Sequence, residues 1–379
     1  MKDTRFSKIF VPVTWILLIG GLIILASASS VIGQQKFNDP LHFVKQQLAY
    51  IVIAGLPGFV FFSFIFDHRT LKKISLFLFI LNIIFLLLTF IPQFSLQAGT
   101  AYRWIVVGPI TIQPSEFLKI TFIVLVAAIL SNKSESELKS FTKTTLPFLC
   151  YLILIGLILL SQPSTSTFIL LSLVALVLYF YSGASLSHLI IAGIILALVL
   201  AVFLLIVPRF HCREGENCVD YRIRRIQAFL NPSNKNIAET YQPYQAKIGL
   251  GSGGWLGKGF GQSRQKYNYL PESYTDTVFA VIGEEFGFIG SFITVMLYFL
   301  FFLSGISLVR NSQNLFSSLL ALGLISWITI QAFIHCFSAS SLLPLSGTPL
   351  PFISYGGSLM TVTLWSLGIL NNIRLKNHL

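Results

Sequence analysis

The feature that most constrains this chain is a long stretch without a charged side chain. From Thr144 to Pro208 there is no Asp, Glu, Lys or Arg, which is too long for one or two membrane-spanning helices but right for three. Pro and Gly mark helix ends, so the breaks are predicted at 162–164 and 182–183. Charged residues make up 11% of the chain, against roughly 25% in soluble domains. The sequence therefore predicts a polytopic membrane protein and excludes a soluble globular one.

Seven further apolar stretches of about 20 residues bring the predicted number of spans to ten. They are Ile9–Ser30, Leu48–Phe66, Ile74–Ile91, Ile112–Leu130, Phe286–Val309, Leu315–Ser338 and Leu350–Ile373. The predicted fold class is an all-α polytopic membrane protein that forms one integral membrane domain over residues 1–379. A single large loop, at about 209–274, separates spans seven and eight.

Basic residues predict the orientation of these spans, because short cytoplasmic loops are enriched in Lys and Arg. Lys2, Arg5 and Lys8 precede the first span, and Arg69 and Lys72 lie between the second and third. Both termini are therefore expected in the cytoplasm and the large loop outside. That loop is also rich in Lys and Arg, but loops longer than about 60 residues do not follow the rule. We interpret the net charge of +12 as orientation signals and contacts with anionic lipids, and no nucleic-acid-binding module is visible.

Ionisable residues at membrane depth are costly, so each one is a functional candidate. Glu116 and Lys119 stand three residues apart at a predicted helix start, which places them on one helix face where they can pair. The sequence leaves two compatible interpretations open, a structural ion pair and a role in holding substrate. Arg103 is expected just outside the outer membrane face, as either a phosphate ligand or a headgroup anchor.

The large loop ends in a Gly-rich stretch, 249–261, followed by Arg264, Lys266, Glu272 and Asp276. Backbone amides of Gly-rich turns suit a diphosphate together with nearby cations, here Arg222, Arg224, Arg225, Arg264 and Lys266. The alternative is a solvated basic loop at the membrane surface. Asp276 stands where the chain re-enters the membrane, so partial burial is expected to raise its pKa and make it a general base. The alternative for Asp276 is a helix N-cap.

The remaining Glu, His and Cys residues of interest lead to weaker functional predictions. Glu284 and Glu285 are adjacent, hence about 100° apart on a helix, and at most one is expected to face a shared cavity. No metal site is predicted, because His188 and His335 have no Cys or carboxylate cluster near them in sequence. Cys212 and Cys218 are expected in the oxidising outer compartment, where they could form a local disulfide.

Four sequence blocks, in this order, resemble the SEDS family of membrane peptidoglycan glycosyltransferases, which includes FtsW, RodA and SpoVE. The resemblance runs from the first span to the last, and the sequence after the Gly-rich stretch looks more like the division-type FtsW branch than the elongation-type RodA branch. The blocks are RWI with QPSEFLK at 103–119, the NP and YQ region at 231–245, GSGGWLGKGFGQSRQKYNYLPESYTDTVFAVIGEEFG at 251–287 and LPLSGTPLPFISYGG at 343–357.

The resemblance implies a fold, a reaction and roles for residues. The implied reaction is polymerisation of lipid II into glycan strands at the outer face of the cytoplasmic (inner) membrane, with inversion and an undecaprenyl diphosphate leaving group. The family's essential Asp maps onto Asp276, and Arg103, Glu116 and Lys119 map onto residues that shape its central cavity. Of the loop residues described above, Lys266 and Glu272 are also expected to bind substrate.

The implied partners are lipid II, a class B penicillin-binding protein transpeptidase, other divisome proteins and membrane lipids, at the division septum. No cofactor is required by the sequence, and a divalent cation is left open. Rival functions are an elongation-type RodA-like polymerase, a lipid II flippase and a non-catalytic scaffold. Three features depart from the family pattern: Ser164 replaces a usual Asp, His335 replaces a frequent Asn, and 211–218 is insertion-like.

Overall fold

The structure is a computed structural model that describes residues 5–91, 93–98, 101–107, 110–162, 164–210, 221–232 and 238–376. Within these ranges, eight helical segments are long and apolar enough to cross a membrane. Two further helices, of 17 and 20 residues, occupy the remaining two predicted span positions. The prediction of a polytopic helical membrane protein is confirmed. The 211–218 segment, with its disulfide prediction and its departure from the family pattern, lies outside the described residues.

The first seven spans include three short π-helical stretches, Ile51–Gly55, Phe61–Ile65 and Phe141–Thr145. The first two flank the short helix Leu56–Val60 in span two, and the third leads into the helix Leu146–Ser161 of span five. The helices are α1 (Arg5–Phe37), α2 (His42–Tyr50), α3 (Leu56–Val60), α4 (His68–Leu88), α5 (Pro114–Ser131), α6 (Glu135–Leu138), α7 (Leu146–Ser161), α8 (Thr165–Tyr181) and α9 (Leu186–Phe210).

The rest of the chain builds the described part of the large loop and the last three spans. In the loop, the described helices are α10 (Tyr221–Leu230), a 3₁₀ turn (Ala238–Thr240) and α11 (Tyr241–Ser252). The last spans are α12 (Val278–Asn311), α13 (Leu315–Ala339) and α14 (Gly357–Lys376). Spans eight and ten therefore begin at different residues from those the sequence predicts, Phe286 and Leu350.

The bundle is organised around α13 and α5. In their apolar windows 83% and 72% of residues are buried, whereas only 11% are buried in the window of α9. Small residues permit this, because transmembrane helices approach closely where side chains are small. A Cβ on Gly323 of α13 would lie only 2.5 Å from a methyl group of Ile123 on α5. The two central helices therefore carry their polar residues into the protein interior rather than toward lipid.

A small antiparallel sheet lies between α4 and α5 and was not predicted from the sequence. Its strands β1 (Ser95–Ala98), β2 (Ala101–Val107) and β3 (Ile110–Ile112) pair in the order β1-β2-β3. Ile105 of β2 is opposite Ser95 on one side and Ile112 on the other. The sheet leads directly into α5, so it sets the position of Arg103 relative to Glu116.

Span eight starts earlier than predicted because α12 consists of two pieces that meet at Gly287. The backbone there is left-handed (φ 67°), and a Cβ would lie 2.6 Å from the carbonyl oxygen of Trp255. The break frees helical backbone groups, which need partners in a membrane protein. The Gly-rich segment supplies them: Lys258 N–H donates to the Glu284 carbonyl at 3.0 Å, and Phe288 N–H donates to the Gly254 carbonyl at 2.8 Å.

Span ten starts later than predicted because residues 341–356 are not helical. Pro349 and Pro351 disfavour the helical conformation in the residues before them, and Phe352 adopts a left-handed backbone with φ of 69°. Tyr355 N–H donates to the Tyr274 carbonyl at 2.9 Å. The 341–356 segment therefore lies at the end of the bundle where α12 begins, beside Asp276.

The orientation of the bundle gives a testable prediction. The helix α5 starts beside the sheet and ends at Ser131, so the basic segment that follows it lies at the opposite end of the bundle from Asp276. We expect tags within 131–143 to be cytoplasmic and tags near Asn234 to be external, because of the Lys and Arg placement. Accessibility of single-Cys tags to an impermeant reagent measures both, and an external Lys139 would refute the ten-span topology.

Candidate functional site

Asp276 lies in a tight turn just before α12. The N–H groups of Thr275, Asp276 and Thr277 all lie 3.1 to 3.2 Å from the Glu272 carbonyl oxygen, and Glu272 itself has a left-handed backbone (φ 51°). Ser354 of the 341–356 segment donates a 2.6 Å hydrogen bond to the Thr275 carbonyl. The N-cap residue of α12 is Thr277, whose side chain makes no capping hydrogen bond. The turn therefore fixes Asp276 in place, and α12 does not begin at this carboxylate.

Two arginines act on the Asp276 carboxylate. Asp276 Oδ2 and Arg225 Nη1 each lie 3.3 Å from the point where a Cβ on Gly347 would stand. Arg225 Nη1 also donates to the Leu345 carbonyl at 2.9 Å. The positive charges of Arg225 and Arg103 both lower the pKa of Asp276, but burial and the negative charge of Glu272 oppose them. Burial is the largest of these effects, and the net result is a pKa raised to about 6.

Arg103 reaches this site from β2, where its side chain is partly buried. Its Nε donates to the Gln162 carbonyl at 2.9 Å. The Gln162 side chain in turn donates to Thr89 Oγ1 at 2.6 Å and to the Leu86 carbonyl at 3.0 Å. Arg103 is thus held against the ends of α4 and α7 rather than extended toward lipid headgroups. From this position its positive charge lowers the pKa of Asp276.

The predicted ion pair of Glu116 and Lys119 is formed and fully buried. Lys119 Nζ lies 2.8 and 2.7 Å from the two carboxylate oxygens of Glu116 and 2.8 Å from Gln331 Oε1. Gln331 also donates to the Pro349 carbonyl at 2.8 Å and accepts from the Trp327 indole at 2.9 Å. The pair therefore connects α5, α13 and the 341–356 segment, so its structural role is direct and its effect on the site is exerted through that segment.

His335 supports the same segment. Its Nδ1 lies 2.7 Å from the Thr348 carbonyl, and Phe279 N–H donates to its Nε2 at 3.4 Å. On the neighbouring helix α8, Ser166 donates to the Ser346 carbonyl. Ser164, which replaces the family's usual Asp, is buried, and its N–H donates to the Leu159 carbonyl at 2.9 Å. No group of three or more His, Cys, Asp or Glu that could hold a metal occurs among the described residues.

The remaining loop residues predicted to bind substrate lie in different surroundings. Lys266 is buried, and its Nζ lies 3.1 Å from Glu285 Oε1, 3.0 Å from Ser27 Oγ and 2.7 Å from the Gly261 carbonyl. Glu272 is exposed, and its carboxylate accepts a 2.8 Å hydrogen bond from Thr275. In this conformation Lys266 therefore has a structural role, whereas Glu272 acts on Asp276 through its charge.

Glu284 and Glu285 anchor the Gly-rich segment. Glu284 accepts from Lys258 Nζ at 2.6 Å, from Ser263 Oγ at 2.6 Å and from Gln265 N–H at 3.1 Å. Lys258 and Gly259 also donate their N–H groups to α12 carbonyls. Two backbone amides of the predicted diphosphate site therefore already donate their hydrogen bonds to carbonyl groups of the protein. Ser263 contacts both carboxylates, through its Oγ to Glu284 and through its N–H to Glu285 at 3.4 Å, so the segment covers both and both are buried.

Gly347 is the site residue for which the structure gives the sharpest prediction. We expect Gly347→Ala to reduce turnover at least tenfold, because the new Cβ would press on Asp276 and Arg225 while its left-handed backbone (φ 65°) costs about 1 to 2 kcal/mol. Gly183→Ala is the matched control, since Gly183 is also left-handed (φ 83°) and its Cβ would meet nothing within 4 Å. Both variants should melt at lower temperature. Equal turnover in the two variants would contradict the close packing at Asp276.

Sequence reasoning missed Gly347 as a site residue and did not connect Arg225 with Asp276. Arg225 appears in the sequence as one of several cations in a basic loop, and nothing local marks it as the one that reaches Asp276. The LPLSGTPLPFISYGG block did signal the importance of the 341–356 segment, but not which side chains it brings together.

The fold and site define a class: an integral membrane protein with a partly buried carboxylate, influenced by two arginines, at one end of its helix bundle. The family model for FtsW, RodA and SpoVE, described as "Cell cycle protein", matches residues 8–379. The chain belongs to this family, which confirms the resemblance found in the sequence.

The chain resembles curated relatives over nearly its whole length. It is 35% identical to stage V sporulation protein E of Bacillus subtilis, over 98% of each chain. It is also 35% identical to a probable peptidoglycan glycosyltransferase FtsW of Geobacter sulfurreducens, over 98% of this chain and 96% of that one.

Two solved structures share its fold at lower identity. One comes from work on "structural coordination of polymerization and crosslinking by a peptidoglycan synthase complex" (TM-score 0.74, 23% identity, 96% of this chain and 98% of that one). The other is the rod shape determining protein RodA of Thermus thermophilus (TM-score 0.64, 22% identity, 96% and 95%).

Proposed function

We propose that this chain is a peptidoglycan glycosyltransferase that polymerises lipid II at the outer end of its helix bundle, in the role of the division-type relatives. The observation that carries the proposal is Asp276, a partly buried carboxylate whose pKa is raised to about 6 beside two arginines. The names of the relatives supply the reaction class. With that pKa the carboxylate is mostly ionised at pH 7, so it is a proton acceptor near the pH at which a general base works best.

In the proposed reaction, Asp276 takes the proton from the 4-hydroxyl of the acceptor sugar. The hydroxyl oxygen attacks the anomeric carbon of a second lipid-linked sugar, and the bond from that carbon to the diphosphate oxygen breaks with its electron pair. In this proposal Arg103 and Arg225 stabilise the charge that develops on the departing diphosphate, since guanidinium groups match phosphate geometry. An α-linked donor then yields a β-1,4 linkage with inversion.

The raised pKa also predicts the cost of this carboxylate to the fold. A carboxyl group whose pKa is higher in the folded than in the unfolded protein destabilises the fold when ionised. This cost is present in full above pH 6, shrinks as pH falls through about 6 and disappears below the ordinary pKa near 4, where the folded and unfolded states are both protonated. Such a cost at neutral pH, retained in the fold, is typical of a functional group rather than a structural one.

Polymerisation of purified lipid II by the purified chain tests the proposal, alone and with a class B penicillin-binding protein transpeptidase. We expect glycan polymer, with a larger yield when the partner is present. A flippase would move lipid II across a vesicle membrane without forming polymer, and a scaffold would form none in either condition. The charged groups of the site argue for chemistry at one end of the bundle, because Asp276, Arg103 and Arg225 gather there.

The proposal includes a location, the division septum, with both termini in the cytoplasm and further divisome proteins as partners. An elongation-type role would instead distribute the protein along the side wall. A fluorescent fusion to the C-terminus, imaged in dividing cells, separates the two roles.

A further inference from the structure

A groove lined almost entirely by apolar side chains opens on the outside of the bundle between α1, α3 and α14. The empty space in the groove, including the part that is open to the surroundings, is about 620 Å³. Phe10 and Leu18 of α1, Phe59 of α3 and Leu364 and Leu367 of α14 form most of its wall. Trp15, which is 53% exposed, and Leu56, which is 39% exposed, form part of its rim. The groove is therefore open to the lipid that surrounds the helices, and it is separate from the Asp276 site.

The groove lies toward the opposite membrane face from Asp276. The helix α14 begins at Gly357, next to the segment that contacts Tyr274, and Arg374 follows 17 residues later, about 26 Å along the helix axis. At that end His68 of α4 contacts Asn372 of α14, with 2.7 Å between Nδ1 and Oδ1. This is the end that carries Lys72 and Lys73, the predicted cytoplasmic face.

One end of the groove is polar and positively charged. Arg374 and Asn371 line it there. Within the part of the chain that the structure describes, the Arg374 guanidinium has no hydrogen bond or ion pair to protein, whereas Lys376 lies 3.5 Å from Asp67. A guanidinium at the mouth of an apolar groove, at headgroup depth, is complementary to a lipid whose headgroup carries a phosphate.

We propose that this groove binds an anionic phospholipid of the inner leaflet, with one acyl chain between α1 and α14 and the headgroup phosphate on Arg374. Its apolar lining suits part of an acyl chain, whereas a partner's transmembrane helix, about 10 to 12 Å wide, needs a much larger surface. The basic residues at the same membrane face favour anionic over zwitterionic headgroups. The site provides a route by which inner-leaflet composition stabilises this part of the bundle, independently of the reaction at Asp276.

Native mass spectrometry of the full-length purified chain tests this site. The probes are phosphatidylglycerol and phosphatidylcholine with identical acyl chains, titrated into delipidated protein. We expect one phosphatidylglycerol to be retained at activation energies that remove phosphatidylcholine. Arg374→Gln should weaken that retention about five- to tenfold, the effect of one basic residue near an anionic headgroup. Arg374→Lys should restore most of it, because the charge is kept.

Two further variants distinguish a built site from general surface charge. Val11→Trp fills the groove without changing charge and should displace the retained lipid, since Val11 lines the groove and is partly exposed. Lys73→Gln removes an exposed charge at the same membrane face outside the groove and should leave retention unchanged. Equal retention of both lipids by the wild type, or equal losses in Arg374→Gln and Lys73→Gln, would overturn the proposal. A protein that purifies with a partner's helix cross-linked at position 11 would overturn it as well.

Discussion

Asp276→Asn is expected to reduce lipid II polymerisation by about 10² to 10⁴-fold, the usual contribution of a general base. Asn keeps the size and the planar shape of the side chain but cannot take up the proton of the acceptor sugar. The wild-type rate should also fall as pH drops through about 6, because the carboxylate is then protonated. Product length distributions from wild type and variant at matched membrane levels measure the effect.

Stability provides the second measurement for this variant. Because burial of the charged form raises the pKa of Asp276, replacing it with a neutral amide should not lower the melting temperature. Asp39→Asn is a suitable control, since Asp39 lies in the turn between α1 and α2 and pairs with Lys45 at 2.7 Å. That variant should polymerise at a near wild-type rate. Wild-type-like product from Asp276→Asn would end the assignment of Asp276 as the base.

The buried ion pair should produce the largest effect on folding. Glu116→Gln or Lys119→Met leaves one charged group without its partner in the interior, which typically costs about 3 to 5 kcal/mol. We expect both variants to accumulate poorly and to lose activity, because Gln331 and the Pro349 carbonyl are held through the same contacts. The double variant, which leaves no unpaired charge, should recover much of the protein level. Membrane abundance and detergent-solubilised melting temperature measure these effects.

Lys143→Met is the matched control for the Lys119 substitution. Lys143 lies 3.9 Å from Glu137 in a pair that is largely exposed, and such surface pairs contribute about 0 to 1 kcal/mol. This variant should accumulate like the wild type. Normal accumulation and full activity of both single variants at the buried pair would show that neither the pairing nor its support of the 341–356 segment matters.

The spans and the Glu116–Lys119 pair could be predicted from sequence because both are local. A span is recognised from about 20 consecutive apolar residues, and an i, i+3 pair follows from the helical repeat alone. Breaks within a span were harder to predict. The start of α14 moved to Gly357 because two prolines shorten an apolar run that hydropathy treats as continuous. The kink at Gly287 depends on the Gly-rich segment, whose backbone replaces the missing helical hydrogen bonds.

The candidate site was predictable in part for the same reason. Asp276 could be chosen from its place at the end of the large loop and from the resemblance to the SEDS family. Lys266 shows the limit, since a loop lysine next to Gly residues suits a phosphate, yet its ammonium is buried against Glu285. Whether a cation in a loop faces a ligand or a buried carboxylate depends on contacts between residues far apart in the chain.

The sequence by itself determined that this chain crosses the membrane many times, which family it belongs to and which carboxylate stands where the large loop meets the last three spans. These features depend on runs of residues that are neighbours in the sequence. The sequence is sufficient to identify them because the free energy of transferring such a run into lipid does not depend on the rest of the fold. Only the tertiary structure decided that Arg225 and Arg103 converge on Asp276. Their approach requires β2, α10 and the 341–356 segment to meet at one end of the bundle, and electrostatic interactions of this kind exist only at the short distances that packing creates.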